Sequence, residues 1–277
     1  CVRGHLGRMG VETAVLPGPE GDRVNLLATI GPRDVPGVVL SGHMDVVPVA
    51  GQDWASDPFR LTERDGRLYG RGTADMKGFL ACMLAMVPAF RAAGLACPVH
   101  LAFSYDEEIG CRGVPHLIAA LPGLCAPPQA CIVGEPTSRA RLGDMMKIGR
   151  RGSATYTVTA KGVQGHAAYP DRARNPVHAL IRLLGDLTSQ PLDQGTAHFD
   201  PSGLQVTTVD CGNPATNVIP ETARASVNIR FNDAHTSASL QAMIRDKAAA
   251  ISAQTGVGLD IRAQVSGESF LTAPGPF

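Results

Sequence analysis

Residues 38–78 read VVLSGHMDVVPVAGQDWASDPFRLTERDGRLYGRGTADMKG, and the fold is decided by this stretch. Val38 to Leu40 is an apolar run that breaks at Ser41-Gly42, the pattern of a buried strand ended by a turn. His43 and Asp45 are therefore delivered at a strand end, where ligands bind in open α/β sheets. Asp75 follows in a Gly-rich turn, Gly70-Arg71-Gly72-Thr73-Ala74-Asp75, just before a helical pattern. A single His after a strand is most often structural. An imidazole that converges with two carboxylates on strand-end loops is a donor set that zinc takes.

The arrangement repeats downstream. Val99 to Tyr105 reads as a strand and ends in Asp106-Glu107-Glu108-Ile109-Gly110; Ala130 to Val133 ends in Gly134-Glu135-Pro136-Thr137. Helices are expected between them, over 77–93 and 113–121. In the first, Phe79, Met83, Val87 and Phe90 recur at helical spacing, as do Leu80 and Leu84. Pro88 should kink this helix or mark its last turns. Upstream, 11–16 and 24–30 read as strands split by the turn Pro17-Gly18-Pro19-Glu20-Gly21, and His5 to Gly10 as the tail of a helix. Three apolar strands thus end in acid-bearing loops, the mark of an α/β domain with ligands at one sheet edge. Cys82 and Cys131 fall inside these apolar patterns and are expected in the core.

The period changes after Arg150. Strands are expected over 154–160, 204–211, 222–231 and 259–265, with helices over 176–187 and 237–254, Ser237 capping the latter. This β-α-β-β-α-β order is the ferredoxin-like pattern. It carries no acid cluster and reads as a second domain inserted into the first. The expected division is 1–149 for the metal-binding catalytic domain and 150–265 for the inserted one. Residues 266–277 would begin the return to the catalytic domain.

Composition sets the outer limits. A chain of 277 residues suits one large domain or two ordinary ones. With 44% hydrophobic and 18% charged residues it can bury a core, and a net charge of zero gives no footing for a nucleic-acid partner. No apolar run reaches the roughly 18 residues of a membrane span. Seven cysteines without regular spacing point to reduced thiols in a cytoplasm, and no signal peptide is visible. The chain begins at Cys1 rather than Met and stops in the loop Ala273-Pro274-Gly275-Pro276-Phe277, so both ends are expected to be cut.

His43, Asp45, Asp75, Glu107, Glu108 and Glu135 form the constellation that carries chemistry. Five carboxylates on loops at one edge repel one another unless cations neutralise them. A carboxylate between two metal ions about 3.5–4 Å apart bridges them and leaves room for a shared water. Of the adjacent Glu107 and Glu108, one can bind metal while the other takes the water's proton. Asp45, two residues from His43, can accept the ring's other N–H and fix the tautomer.

At this point the residues resemble a known family. SGHMDVVP (41–48), LYGRGTADMKG (68–78), SYDEEIG (104–110) and IVGEPTS (132–138) are similar to motifs of the co-catalytic zinc peptidases and deacylases, the group of the acetylornithine deacetylases and succinyl-diaminopimelate desuccinylases. Four motifs in order, over nearly the whole chain, make the likeness specific. Residues 10–138 look more like the acetylornithine deacetylases. From Gly143 on, GDMMKIGRRGS, KGVQGHAAYP, GNPATNVIP, NIRFND and SGESFLT look like the desuccinylases.

The resemblance implies a zinc-peptidase-like catalytic domain with an inserted lid and dimerisation domain, and two zinc ions per subunit, for which cobalt can substitute. It implies His43 and Glu135 as ligands of one zinc, Glu108 of the other, and Asp75 as the bridge. Asp45 would orient His43, Glu107 would be the general base, and His166 would stabilise the oxyanion in the partner subunit's site across a homodimer. The family's last ligand, a His near the C-terminus, has no counterpart among the other histidines here, so the second zinc site is expected to be incomplete.

The reaction implied is hydrolysis of an N-acyl amino acid to a carboxylate and a free amine. Arg150, Tyr169, Asn217 and Arg230 look like the positions with which the desuccinylases hold substrate, and an Arg fork matches the terminal carboxylate of a succinyl group. The expected substrate is therefore N-succinyl-L,L-diaminopimelate, of lysine biosynthesis, with N-acetylornithine, of arginine biosynthesis, as the alternative. A metal-binding or dimerising protein without activity is the rival of another class. A nucleotide-binding α/β protein is a poor reading, because no G-x-G-x-x-G or Walker sequence follows a strand.

Overall fold

The computed structural model describes residues 1–273 and 275. Pro274, Pro276 and Phe277, the end of the expected return segment, lie outside the described residues. The chain divides into two compact units, the first ending at Met146 and the second beginning at Lys147.

The first unit runs α1 (Val2–Arg8), β1 (Thr13–Pro17), β2 (Val24–Ile30), β3 (Val38–His43), β4 (Thr62–Arg64), β5 (Arg67–Tyr69), α2 (Lys77–Ala92), β6 (Val99–Ser104), α3 (Val114–Ala120) and β7 (Ala130–Val133). Its five-stranded sheet has the order β1-β2-β6-β3-β7. β3 pairs parallel with both β6 and β7, β2 runs antiparallel to β6, and β1 runs antiparallel to β2. Two consequences follow for the loops. The C-terminal ends of β3, β6 and β7 share one edge, and the β1–β2 turn emerges at that same edge.

One core of this unit gathers Leu6, Leu26, Ala28 and Ile30 with Leu80, Met83, Val87, Leu101 and Phe103. The α2 stripe Leu80, Met83, Val87 meets the sheet, and the helix continues past Pro88 to Ala92 rather than stopping there. Gly42 is required by this packing: a Cβ there would lie 2.6 Å from both Leu80 Cδ2 and Met76 Cε.

Cys82 and Cys131 are both exposed, against the expectation that they belong to the core. Each helical residue turns about 100°, which swings Cys82 off the Leu80–Met83–Val87 stripe. Cys131 sits on β7, the edge strand, with Ile132 47% and Val133 58% exposed beside it. No disulfide joins cysteines among the described residues. No helix is long and apolar enough to cross a membrane among the described residues.

The second unit runs β8 (Gly149–Arg150), β9 (Gly152–Lys161), β10 (Gly165–His166), α4 (Pro176–Thr188), β11 (Gly203–Asp210), β12 (Val218–Ile219), β13 (Thr222–Phe231), α5 (Ser237–Thr255), β14 (Gly258–Gly267) and β15 (Phe270–Leu271). Its four-stranded antiparallel sheet has the order β11-β13-β9-β14. Alternate residues of β9 and β13, among them Tyr156, Val158, Val227 and Ile229, pack with Leu180, Leu183, Leu240 and Ile244 of the two helices into one core. The buried Tyr156 hydroxyl is satisfied by Ser237 O at 2.8 Å. Residues 266–273 belong to this unit, where β15 pairs with β8.

The α5 cap is Thr236, not Ser237. Thr236 is extended, its hydroxyl accepts from Ser239 N, and the Ser239 hydroxyl accepts from Thr236 N at 3.0 Å. Ser237 is instead tied to Glu268, which accepts its amide at 3.0 Å and its hydroxyl.

Candidate metal centre

Three parallel strands aim their C-terminal loops at one point. β3 ends at His43, which is 2% exposed. The Met44 amide then pairs with Ser104 O at 2.8 Å, carrying the β3–β6 contact up to the turn where Asp45 sits. β6 leads into Glu107 and Glu108, and β7 into Glu135 through Gly134. A Cβ at Gly134 would lie 2.0 Å from the Phe79 ring, so only glycine lets this strand end pass α2. Asp75 sits just ahead of α2.

His43, Asp75 and Glu135 each offer one ligand atom, and these atoms lie within 4.8 Å of one another. His43 Nε2 is 3.1 Å from Asp75 Oδ1 and 3.8 Å from Glu135 Oε2. The other ring nitrogen, Nδ1, is 3.0 Å from the Asp45 backbone carbonyl and 3.5 Å from its carboxylate. A proton on Nδ1 leaves Nε2 free to ligate.

The Asp45 carboxylate does something else as well. Its two oxygens accept the backbone amides of Glu107 at 3.1 Å and Glu108 at 3.0 Å. The Glu107 carboxylate in turn accepts the Cys111 thiol at 3.4 Å.

The electrostatics fit a cation. Burial alone pulls the His43 pKa down, but the Asp75 hydrogen bond and the charges on Asp45 and Glu107 outweigh it and leave the pKa raised. Glu108 is raised by burial first and then by the charge on Asp75. One imidazole and several mutually repelling carboxylates make a hard, anionic donor set that a divalent cation would neutralise.

The second-unit candidates are described within that unit. β10 pairs with β12, and the Asn217 carbonyl accepts the Ala167 amide at 2.9 Å. The His166 and Tyr169 rings are 5.9 Å apart. His166 Nδ1 accepts the Ala168 amide at 3.1 Å, which leaves Nε2 to carry the ring proton. Arg150 on β8 and Arg230 on β13 are both exposed.

Several residues around the first-unit cluster escaped the sequence reading. Met76 is buried, and its sulfur accepts the His43 amide at 3.2 Å. Asn25 is fully buried and donates to Gly113 O at 2.9 Å; an Asn inside the apolar run Val24-Asn25-Leu26 was the available signal. Arg23 pairs with the buried Asp106.

A parallel-strand edge bearing a His–carboxylate cluster defines the class: a protein built to hold metal at the carboxyl ends of an α/β sheet. The comparisons place it further. The model of peptidase family M20/M25/M40 matches residues 39–272, and the chain belongs to that family. It is 54% identical over 257 residues to a succinyl-diaminopimelate desuccinylase of Paracoccus denitrificans, covering 91% of this chain and 67% of that one. A second, from Cereibacter sphaeroides, is 52% identical over 241 residues, covering 85% of this chain and 63% of the relative. The chain thus spans about two thirds of the length of the curated relatives it matches.

Among solved structures, the aminopeptidase PepT of Bacillus cereus matches with a TM-score of 0.73 at 17% identity, over 99% of this chain and 71% of that one. The YXEP protein of Bacillus subtilis, described as a dinuclear metal-binding peptidase, matches at 0.67 and 19% identity, over 98% and 68%. At these identities the likeness is one of fold.

Proposed function

We propose that this polypeptide hydrolyses the amide of N-succinyl-L,L-diaminopimelate to succinate and the free diamino acid. The observation that carries the reading is the His43–Asp75–Glu135 cluster, joined through Asp45 to the Glu107–Glu108 loop, in a chain about half identical to desuccinylases.

Two zinc ions are the cofactor we infer, with cobalt able to substitute. His43 and Glu135 would hold one, Glu108 the other, and Asp75 would lie between them. Bound zinc supplies Lewis-acid polarisation and acidifies water. Glu107 then removes a proton from the attacking water and returns it to the leaving amine. Asp45 holds that base in place through its amide. His166, with its proton on Nε2, is suited to donate to the carbonyl oxygen as charge develops there, across a homodimer formed through the second unit. That unit is the lid, inserted into the catalytic domain, and the setting is cytoplasmic.

Arg150, Tyr169, Asn217 and Arg230 would hold the substrate, an Arg meeting the succinyl carboxylate. The test compares kcat/KM for N-succinyl-L,L-diaminopimelate and N-acetylornithine. The succinyl substrate should be preferred, and Arg230→Ala should cost it about 2–4 kcal/mol while sparing the acetyl one. Preference for acetylornithine, or an equal loss on both substrates in Arg230→Ala, would overturn the assignment.

A further inference from the structure

The β1–β2 turn emerges at the same sheet edge as the acid loops, and it grips one of them at three points. The Tyr105 hydroxyl donates to Glu20 Oε2 at 3.2 Å. Arg23 forms an ion pair with Asp106, whose side chain is only 7% exposed. Asn25, at the start of β2, holds Gly113 O at 2.9 Å. Tyr105, Asp106 and Gly113 bracket Glu107 and Glu108.

The bracketed segment is closed on itself. Gly113 N bonds to Tyr105 O at 3.2 Å and Arg112 N to Asp106 O at 3.0 Å. Asp106 takes a left-handed backbone conformation, φ 52°, which turns the chain from β6 into the acid loop. Asp tolerates that conformation better than most residues, but it still needs the surroundings to hold it. Asp45 grips the loop from one side through the Glu107 and Glu108 amides. The β1–β2 turn grips it at both ends.

We propose that Arg23 and Asp106 are positioning residues for Glu107, the ion pair fixing the turn that aims this carboxylate at the reacting water. The proposal rests on the reading of Glu107 as base. The cluster itself is made by His43, Asp75 and Glu135, so losing the pair should cost rate rather than metal at that cluster.

The experiment uses the zinc-loaded protein with Arg23→Met, Arg23→Lys, Asp106→Asn and the double variant Arg23→Met/Asp106→Asn, beside Glu107→Gln. Asn keeps the tolerance for the left-handed backbone, so Asp106→Asn removes the ion pair and leaves the turn allowed. For Arg23→Met and Asp106→Asn, kcat should fall by about 10- to 100-fold, the scale of a small misplacement of a catalytic group. KM and the zinc held at His43, Asp75 and Glu135 should stay close to wild type. Amide exchange at Glu107 and Glu108 should quicken by about tenfold or more, and Arg23→Lys should recover part of the rate.

The double variant leaves no unpaired buried charge and should regain thermal stability over Arg23→Met. Its kcat should nevertheless stay low. Recovery of kcat together with stability would make the pair merely structural and overturn the proposal. So would wild-type kcat in Arg23→Met and Asp106→Asn while Glu107→Gln is inactive. If Glu107→Gln still turned over, the base assignment would be the part that failed. The exchange measurement, which needs no turnover, would then decide the clamp: unchanged protection at Glu107 and Glu108 overturns it.

Discussion

The Asp45 carboxylate accepts the Glu108 amide at 3.0 Å, and with its second oxygen it also accepts the amide of Glu107. The residue two positions after His43 therefore fixes the loop that carries the next two acids. Asp45→Asn keeps one acceptor oxygen and turns an NH2 group toward the other amide. We expect activity to fall by about 10- to 100-fold, as for other partners of a metal ligand. Turnover within a factor of about two of wild type would remove Asp45 from this role.

The two adjacent glutamates should separate by assay. Glu107→Gln should cost about 10²–10⁴-fold in kcat with metal retained, because a base is lost and not a ligand. Glu108→Gln should lose metal as well. Equal metal loss in both variants would refute this division of labour.

Metal content is the third test. With His43, Asp75 and Glu135 gathered and no further His in a matching motif, this chain should keep one zinc through dialysis and hold a second only weakly. Zinc at about 100 times its Kd should add about 2.7 kcal/mol to the unfolding free energy. Two zinc ions surviving dialysis would show the ligand set to be larger than this one.

Acid stability should depend on Asp193. Burial by itself would raise its pKa, but hydrogen bonds from Ser202, Gly195 and Asn232 override that and bring it from 3.8 to about 2. His235 Nε2 lies 3.1 Å from the same carboxylate. A depressed carboxylate gives its full stabilisation above pH 3.8, and that is lost as pH falls through about 2. Denaturant unfolding between pH 5 and pH 2 should therefore cost wild type about 2 kcal/mol more than Asp193→Asn. Parallel curves for the two proteins would rule the network out as the source.

His166 should act between subunits. Mixing His166→Ala chains with Glu107→Gln chains should restore some turnover in heterodimers, since one intact site can then assemble. No recovery in confirmed heterodimers would remove the residue from the partner's site.

The long elements were legible because each carries its own period. β2, β7 and β13 begin and end where the apolar pattern does. The β4–β5 hairpin was passed over, although Asp65-Gly66 is a hairpin-turn pair and both residues have positive φ; its strands are three residues each and largely exposed, too short to show alternation. In the metal cluster, strand-end acids reveal themselves by placement. The Asp45 grip on two amides does not, because backbone amides carry no sequence signal. Nor does the Arg23–Asp106 pair, whose members are 83 positions apart and meet only once the sheet order is known. Cys131 misled because apolar neighbours in sequence do not say whether a strand lies at the centre of a sheet or at its edge, and Cys82 because one helical step carries a residue off the buried stripe.

That edge has a practical consequence. β7 presents Cys131, Ile132 and Val133 to solvent on the outermost strand of a five-stranded sheet, with neither proline nor a charged side chain among its four residues. Such a border offers backbone amides and carbonyls in register for another strand, the geometry from which edge-to-edge aggregation starts. At high concentration the polypeptide described here should self-associate through β7. A lysine in place of Val133 should raise its solubility while leaving His43, Asp75 and Glu135 unchanged.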